Sequence, residues 1–386
     1  MDFELNDEQR MYREAVHDFC QKELAPYAAD VDETGDMRWE AIRKMSTLGL
    51  TGLMVPEEYG GADVDAVSAA IGLEEIARAC GSTALSIAAH NGLGCFPIAR
   101  WGTPDQKAKY LPQLTSGEKL GALALTEPDA GSDLAGGVKT NAYQDNGHWV
   151  LNGHKAWITN PKYSPVIITL TRTDAEAGTR GFSMLLVEPD MDGVTIHPPE
   201  KKMGLKGSPT QQITFEDVRI PVEAGTLGEA GRGVHHTMET LDGGRITIGA
   251  ISVGLAQAAF DAAIRYASER QAFGKPIAQH QAIQWMIADG ALEIEAARLL
   301  VYRAAWLKQE GKPFVKEAAM AKLYASEVAE RVAFNAIQIH GSYGYSREFP
   351  VERIYRDQRL MTIGEGTSQI QRLVIARRVM EEHGLQ

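Results

Sequence analysis

The residue with the most pointed setting for chemistry in this 386-residue chain is Glu365, in the stretch Gly364-Glu-Gly-Thr-Ser-Gln-Ile-Gln371. Ser368 and Gln371 have the S-x-x-Q spacing of a capping box, which predicts a helix from about 369 and places Glu365 on the turn just before it. Glycine on both sides lets backbone and ligand approach closely, so a carboxylate here can be held against a bound molecule. The plainer role is an acid at a helix start, complementing the helix dipole. Arg270, taken alone, reads as a structural cation at a helix end. Asp242 and Arg245 stand three apart on a helical run, the spacing of a simple surface ion pair. Trp157, followed by Ile158 and Thr159, reads equally well as buried strand filler.

Other arrangements carry less. Ser116-Gly-Glu-Lys119 is an S-x-x-K match in a turn-like stretch, which a chain this long yields by chance. His235 and His236 are adjacent, about 100° apart on a helix, and cannot chelate as a pair four apart would; no metal set is expected. Lys201, Lys202 and Lys206 read as a solvated loop face, with contact to a phosphorylated ligand as the alternative. There is no P-loop, H-E-x-x-H, G-x-S-x-G, or G-x-G-x-x-G after a strand, and the glycines of 228–233 miss that last spacing.

The elements that must position these groups follow from composition and period. Hydrophobic residues at 44% and charged residues at 23% exclude a disordered chain, and the length corresponds to roughly 2.6 domain equivalents. A net charge of −12 argues against nucleic acid or an anionic membrane surface as partner. Cys20, Cys80 and Cys95 are too few for a disulfide framework and fit a reducing compartment. The opening MDFELNDEQR lacks a basic region followed by an apolar one, and no window holds 18 apolar residues without a charge, so the expectation is a cytoplasmic protein with no membrane span. Residues 1–121 carry helical periodicity, starting with an Asn6/Gln9 capping box and continuing around 39–48, 64–79, 82–101 and 104–114. From 122 to 232 the pattern alternates, at 148–151, 166–171, 182–187, 194–197 and 211–215, between turn clusters such as Asp145-Asn146-Gly147. From 233 four long helical runs return, about 234–270, 279–310, 314–340 and 367–382. The expected fold is α+β: an N-terminal α-helical domain (1–121), a middle β-domain of antiparallel sheets (122–232) and a C-terminal four-helix bundle (233–386).

Five segments are hard to explain as packing: Leu125-Thr-Glu-Pro-Asp-Ala-Gly-Ser-Asp133, Lys155-Ala-Trp-Ile-Thr-Asn160, Glu269-Arg-Gln-Ala-Phe-Gly-Lys-Pro-Ile277, Gln338-Ile-His-Gly-Ser-Tyr-Gly-Tyr345 and the segment around Glu365. In this order and at these distances the chain resembles the acyl-CoA dehydrogenase family from its first helix to its last, most of all the short-chain and short-branched-chain members. The resemblance implies FAD-dependent α,β-dehydrogenation of a short or branched-chain acyl-CoA to the trans-2-enoyl-CoA, with electrons leaving to an electron-transfer flavoprotein. Glu365 matches the base that takes the α-proton while the β-hydrogen leaves as hydride to flavin N5. In the family the thioester carbonyl is hydrogen-bonded by the backbone N–H of this Glu and by the flavin ribityl chain, an oxyanion-type arrangement. A carboxylate of ordinary pKa, about 4.3, is a poor base for carbon acid chemistry, so a dry site must raise it. One subgroup places its base on the helix reading Thr240-Leu-Asp-Gly-Gly-Arg245; the matching position here is Gly244, which cannot serve.

By the same resemblance Leu125, Thr126 and Ser132 line the isoalloxazine, Trp157 covers its face and Thr159 lies near N5. Arg270 meets the FAD pyrophosphate, with Phe273 and Gln281 beside the cofactor. Gln338 and Gly341 approach the adenine half; they and Arg270 come from the neighbouring subunit, whereas Thr367 and Gln369 belong to the subunit whose flavin they touch. Substrate contacts fall on Ser132, Asp242, Arg245 and the backbone of Gly366. A homodimer, or a homotetramer as a dimer of dimers, is thereby implied. Gly364 stands where many relatives carry a Tyr bordering the acyl pocket, which would leave room for a branched or bulkier acyl group. Two alternatives accompany this reading: an acyl-CoA oxidase of the same fold that passes electrons to O2, and a non-catalytic acyl-CoA-binding scaffold.

Overall fold

A computed structural model of the chain describes residues 4–385. The first helix, α1 (Asp7–Glu23), begins with the expected box: Asn6 accepts from the Gln9 N–H while the Gln9 side chain returns to the Asn6 N–H. Helix α2 (Ala66–Ala79) starts at Asp65, whose carboxylate accepts from the N–H groups of Val67 and Ser68, and it is buried almost all round. The single helix expected over 82–101 is instead three pieces: Gly81–Ala88, a π-helical stretch Ala89–Cys95, and Phe96–Trp101. Polar side chains tied to other segments account for the distortion. His90 Nδ1 accepts from the Gly121 N–H at 2.9 Å, and Asn91 bonds the Leu53 N–H at 2.9 Å and the Leu50 carbonyl at 2.9 Å.

The middle region forms one eight-stranded sheet of β1 (Ala122–Ala124), β2 (Asn141–Asp145), β3 (His148–Thr159), β4 (Ile167–Arg172), β5 (Phe182–Val187), β6 (Val194–Ile196), β7 (Thr210–Pro221) and β8 (Thr226–Leu227). The order is β6-β7-β3-β2-β4-β5-β8, with β1 also paired to β4. The expectation of antiparallel sheets is corrected here: β1 and β2 run parallel to β4, so the sheet is mixed. Alternation along a strand reports which faces are buried and carries no direction; the β2–β3 hairpin supplies the long connection that a parallel β1–β4 pair needs. That hairpin turns on Asn146 and Gly147, both at positive φ, as Asn-Gly predicts.

The C-terminal helices are α3 (Gly233–Glu269), α4 (Gln281–Gln309), α5 (Val315–His340) and α6 (Ser368–Glu382). Helix α3 is long and apolar enough to cross a membrane, yet most of its apolar stretch is buried inside the protein, with α2, α4 and α5 packed around it. One core, including Val16, Ile71, Ile251, Val301 and Val328, joins α1 and α2 to the bundle. The sheet has separate apolar clusters on its two faces, and α3 also touches it, so helix and sheet meet along the first third of α3. Glu365 and the groups around it lie near that junction.

Candidate active site

Helix α6 does not begin with the expected Ser368/Gln371 box. Thr367 is the N-cap, accepting from the Ile370 N–H at 3.3 Å, and Ser368 Oγ is buried without a partner among the described residues. Gln371 turns back instead, donating through Nε2 to the carbonyls of Gly366 at 2.9 Å and Glu365 at 3.3 Å. From α5, the buried Lys322 ammonium donates to the same Gly366 carbonyl at 2.7 Å. These donors fix a turn in which Glu365 and Gly366 are both left-handed, at φ 51° and 92°. Glycine adopts that conformation freely, whereas a glutamate there stores strain on the order of 1–3 kcal/mol.

The Glu365 side chain lies against α3. A Cβ built on Gly244 would stand 1.9 Å from Oε2, so only glycine lets the carboxyl rest there. Oε2 is buried and has no hydrogen-bond partner among the described residues. Burial pushes the carboxyl up to about 7, against the pull of Lys322 and Arg245. The group is therefore poised to exchange a proton near neutral pH. One turn of α3 away, Asp242 and Arg245 do pair, but with side chains 19% and 7% exposed they are not the surface pair their spacing suggested. Burial raises the Asp242 carboxyl, with Arg245 opposing, and Arg245 Nε is buried without a hydrogen-bond partner among the described residues. Thr367 and Gln369 sit on the first turn of α6, Gln369 exposed.

The loop from Leu125 reaches the same region. Leu125 belongs to an apolar cluster against which Leu93 and Leu241 pack, and the Thr126 carbonyl accepts from the Ala156 N–H at 2.8 Å, joining the loop to β3. Beneath it, the fully buried Lys155 ammonium donates to the Leu125 carbonyl and to Glu127 Oε1, both at 2.9 Å. The Glu127 carboxylate also accepts from the N–H groups of Lys139 at 2.7 Å and Thr140 at 3.0 Å. Burial drives Lys155 down to about 8 and pulls Glu127 up, but Lys155 and the N–H donors bring Glu127 net below its ordinary value, so the pair is ionised. Lys155→Met leaves a buried carboxylate uncompensated and is expected to destabilise the protein by about 3–5 kcal/mol. Urea unfolding checks this, and an unchanged midpoint would refute it.

Trp157 is not strand filler. A register shift between Lys155 and Ile158 forms a bulge that sets Trp157 at φ 61° and leaves it 60% exposed, with the half-buried Thr159 two residues on. Ser132 is exposed at the loop's far end, just before Asp133, which caps a short helix (Leu134–Gly137). His236 stacks on Trp101 with centroids 4.3 Å apart, while Lys202 bonds the Ser208 carbonyl and Lys206 lies 3.9 Å from Asp32. Lys202 and Lys206 are thus pinned to the fold rather than loose in solvent.

Arg270, Phe273, Gln281, Gln338 and Gly341 form a second group at the other end of α3. Arg270 ends α3, and residues 271–276 make a tight hairpin whose turn residues Phe273 and Gly274 have φ 51° and 77°. Phe273 is 97% exposed, and Arg270 is exposed with no acidic partner among the described residues. Tyr266 stacks on His340 at 4.3 Å, which draws Gln338 at the end of α5 and Gly341 just beyond it towards Arg270; Gln281 opens α4. Between Gly244 and Arg270, α3 is unbroken, so the two groups stand roughly 39 Å apart within one chain at 1.5 Å rise per residue. Exposed aromatics held in left-handed conformations, together with an unpaired guanidinium, suit a ligand that combines planar rings with a diphosphate.

Sequence reasoning passed over Lys322, Glu127 and Lys155 and gave Gln371 the wrong partner. Lys322 had a visible signal: a charge in the alanine-rich run 318–325, on the face that carries Ala318, Ala325 and Ala329.

Comparison with known proteins matches three family models in succession: acyl-CoA dehydrogenase, N-terminal domain, over 6–118; middle domain, over 122–218; and C-terminal domain, over 231–380. A probable acyl-CoA dehydrogenase of Bacillus subtilis is 51% identical over 382 residues, covering 99% of this chain and 100% of the relative. The short-chain specific mitochondrial acyl-CoA dehydrogenase of Bos taurus is 46% identical over 380 residues, covering 98% of this chain and 92% of its own. Among solved structures, butyryl-CoA dehydrogenase from Megasphaera elsdenii matches with a TM-score of 0.95 at 41% identity, covering 98% of this chain and 100% of that one. An acyl-CoA dehydrogenase from Bacillus anthracis complexed with FAD matches with a TM-score of 0.91 at 36% identity, covering 98% and 69%.

Proposed function

The chain belongs to the acyl-CoA dehydrogenase family, and from that premise we propose that Glu365 is the base that takes the α-proton of a short or short-branched acyl-CoA. The protein is an FAD-dependent enzyme, and the bound flavin supplies the hydride acceptor for the β-hydrogen. The observation that carries the assignment is the Glu365 carboxyl itself: buried, unpartnered at Oε2, resting on glycine, and raised to about 7. Water is excluded from Oε2, so the carboxylate is more basic than one in solvent. Among the described residues the Glu365 N–H also has no hydrogen-bond partner, which leaves it free to hold the thioester carbonyl and acidify the α-carbon. Asp242 and Arg245 border the acyl-CoA from α3, and Ser132 is placed at the outer end of the loop, for the CoA moiety.

Gly364 supports room for a branched or bulkier acyl group. A side chain built there would meet nothing nearer than Leu360 at 3.6 Å, so the space that a larger residue would fill stays open. The roughly 39 Å gap between the two groups along α3 supports a homodimer, or a tetramer built from it, in which Arg270, Phe273, Gln338 and Gly341 of one subunit complete the flavin site of another. An exposed apolar row on α4, Trp285, Leu292, Leu299 and Trp306 at seven-residue spacing, supports the same association. Electrons would pass to an electron-transfer flavoprotein, in the cytoplasm.

The test is an anaerobic visible spectrum of the purified protein before and after butyryl-, isobutyryl- and octanoyl-CoA. Bleaching of the oxidised-flavin band by butyryl- or isobutyryl-CoA ahead of octanoyl-CoA is expected. Octanoyl-CoA bleaching first would overturn the acyl preference. Fast reoxidation in air with peroxide release would favour the oxidase, protein that stays flavin-free would favour the binding scaffold, and a flavin band that none of the three bleaches would send the substrate search to other acyl groups.

A further inference from the structure

Lys322 is a buried charge with no task in the reaction as described. Its side chain is wholly buried on α5, and among the described residues no carboxylate lies within ion-pair distance; its one hydrogen bond is to the Gly366 carbonyl at 2.7 Å. That carbonyl already has a neutral donor in Gln371. A buried ammonium without a bonded counter-ion is strongly disfavoured, so mere closure of the turn does not explain a cation here. Resting on the reading of Glu365 as base, we propose that Lys322 is a positioning residue for it: the ammonium locks the Glu365–Gly366 turn from behind and supplies the positive charge that faces the base across that turn.

The charged groups around this point are few. Arg245, itself paired with Asp242, faces it from α3, Glu327 from α5 itself, and Arg378 on α6 acts on the Asp242–Arg245 pair. Among these, Lys322 is the strongest counterweight to burial at Glu365. Burial lowers Lys322 to about 8, so it is still cationic in the range where Glu365 loses its proton. The two contributions separate experimentally. Losing the hydrogen bond loosens the turn and slows the reaction, whereas losing the charge leaves burial opposed by Arg245 alone and moves the Glu365 titration towards higher pH.

The experiment uses FAD-loaded protein mixed anaerobically with butyryl-CoA, with the rate of flavin bleaching followed against pH. Lys322→Met replaces the cation with an apolar side chain of similar length, and Gln371 remains as donor to the carbonyl. The expected result is a rate lowered about 100-fold at pH 7, half-saturation by butyryl-CoA within about three-fold of wild type, and the acid limb displaced upward by about one pH unit. An acid limb that stays in place would overturn the proposal, whatever happens to thermal stability, because a purely structural lysine would alter the Tm and not the limb. If the methionine variant retains no flavin, Lys322→Gln, neutral but able to donate, is expected to show the same displacement, and an unmoved limb there overturns it equally. Wild-type bleaching by Glu365→Gln in the same series would instead sink the assignment of the base.

Discussion

Glu365→Gln keeps its flavin and binds acyl-CoA, yet bleaches at least about 1,000-fold more slowly than wild type. Removing a positioned base from a dry site costs rate on this scale, and the amide is nearly isosteric with the carboxyl, so the left-handed turn and its bonds from Lys322 and Gln371 persist. The wild-type profile has a predictable shape. The base must be ionised, and burial raises its carboxyl to about 7, so the rate climbs as pH passes through about 7 and levels off above it. The glutamine variant has no group to titrate and its residual rate is flat over the same range. Stopped-flow bleaching from pH 5.5 to 9 measures both. A variant within ten-fold of wild type, or one that keeps the acid limb, would move the base elsewhere.

How far such a site could be read from the chain alone varies with the kind of information each residue carries. Helix existence was legible because period and caps are local: the Asn6/Gln9 box and the four long C-terminal runs are in the structure. Strand direction was not legible, since a burial pattern, wholly buried in β1 and mostly exposed in β2, is compatible with either direction. The S-x-x-Q spacing at Ser368 was misleading because Gln371 has a stronger claim on it from the carbonyls of the Glu365 turn, which the sequence shows only as two residues several positions away. Trp157 was ambiguous for a similar reason. A bulge depends on the partner strand β7, and without that partner a tryptophan beside β-branched residues looks like core. Lys155 and Lys322 mark the opposite case. Each is a cation in an apolar setting, the kind of local conflict that proteins retain at sites, and each contacts a segment already singled out.

The contact between Glu365 and Gly244 gives the second large effect. Gly244→Ala introduces a methyl whose carbon would lie 1.9 Å from Oε2, and the atom that must give way is the far end of a flexible side chain rather than backbone. The fold therefore tolerates the change, and alanine favours the interior of α3 over glycine by about 1 kcal/mol. The carboxylate cannot stay where it is. Displacement of a base by about 1 Å costs on the order of 100-fold in rate, so the variant is expected to be at least as stable as wild type and about 100 times slower. Thermal unfolding and single-turnover bleaching on the same samples test the two halves together. In the Glu365→Gln background the same substitution should cost almost nothing further, because the group it displaces no longer takes a proton. A full additional 100-fold loss in the double variant would mean that the methyl obstructs the acyl group rather than the base, and would relocate the role of Gly244 from seating Glu365 to shaping the substrate pocket.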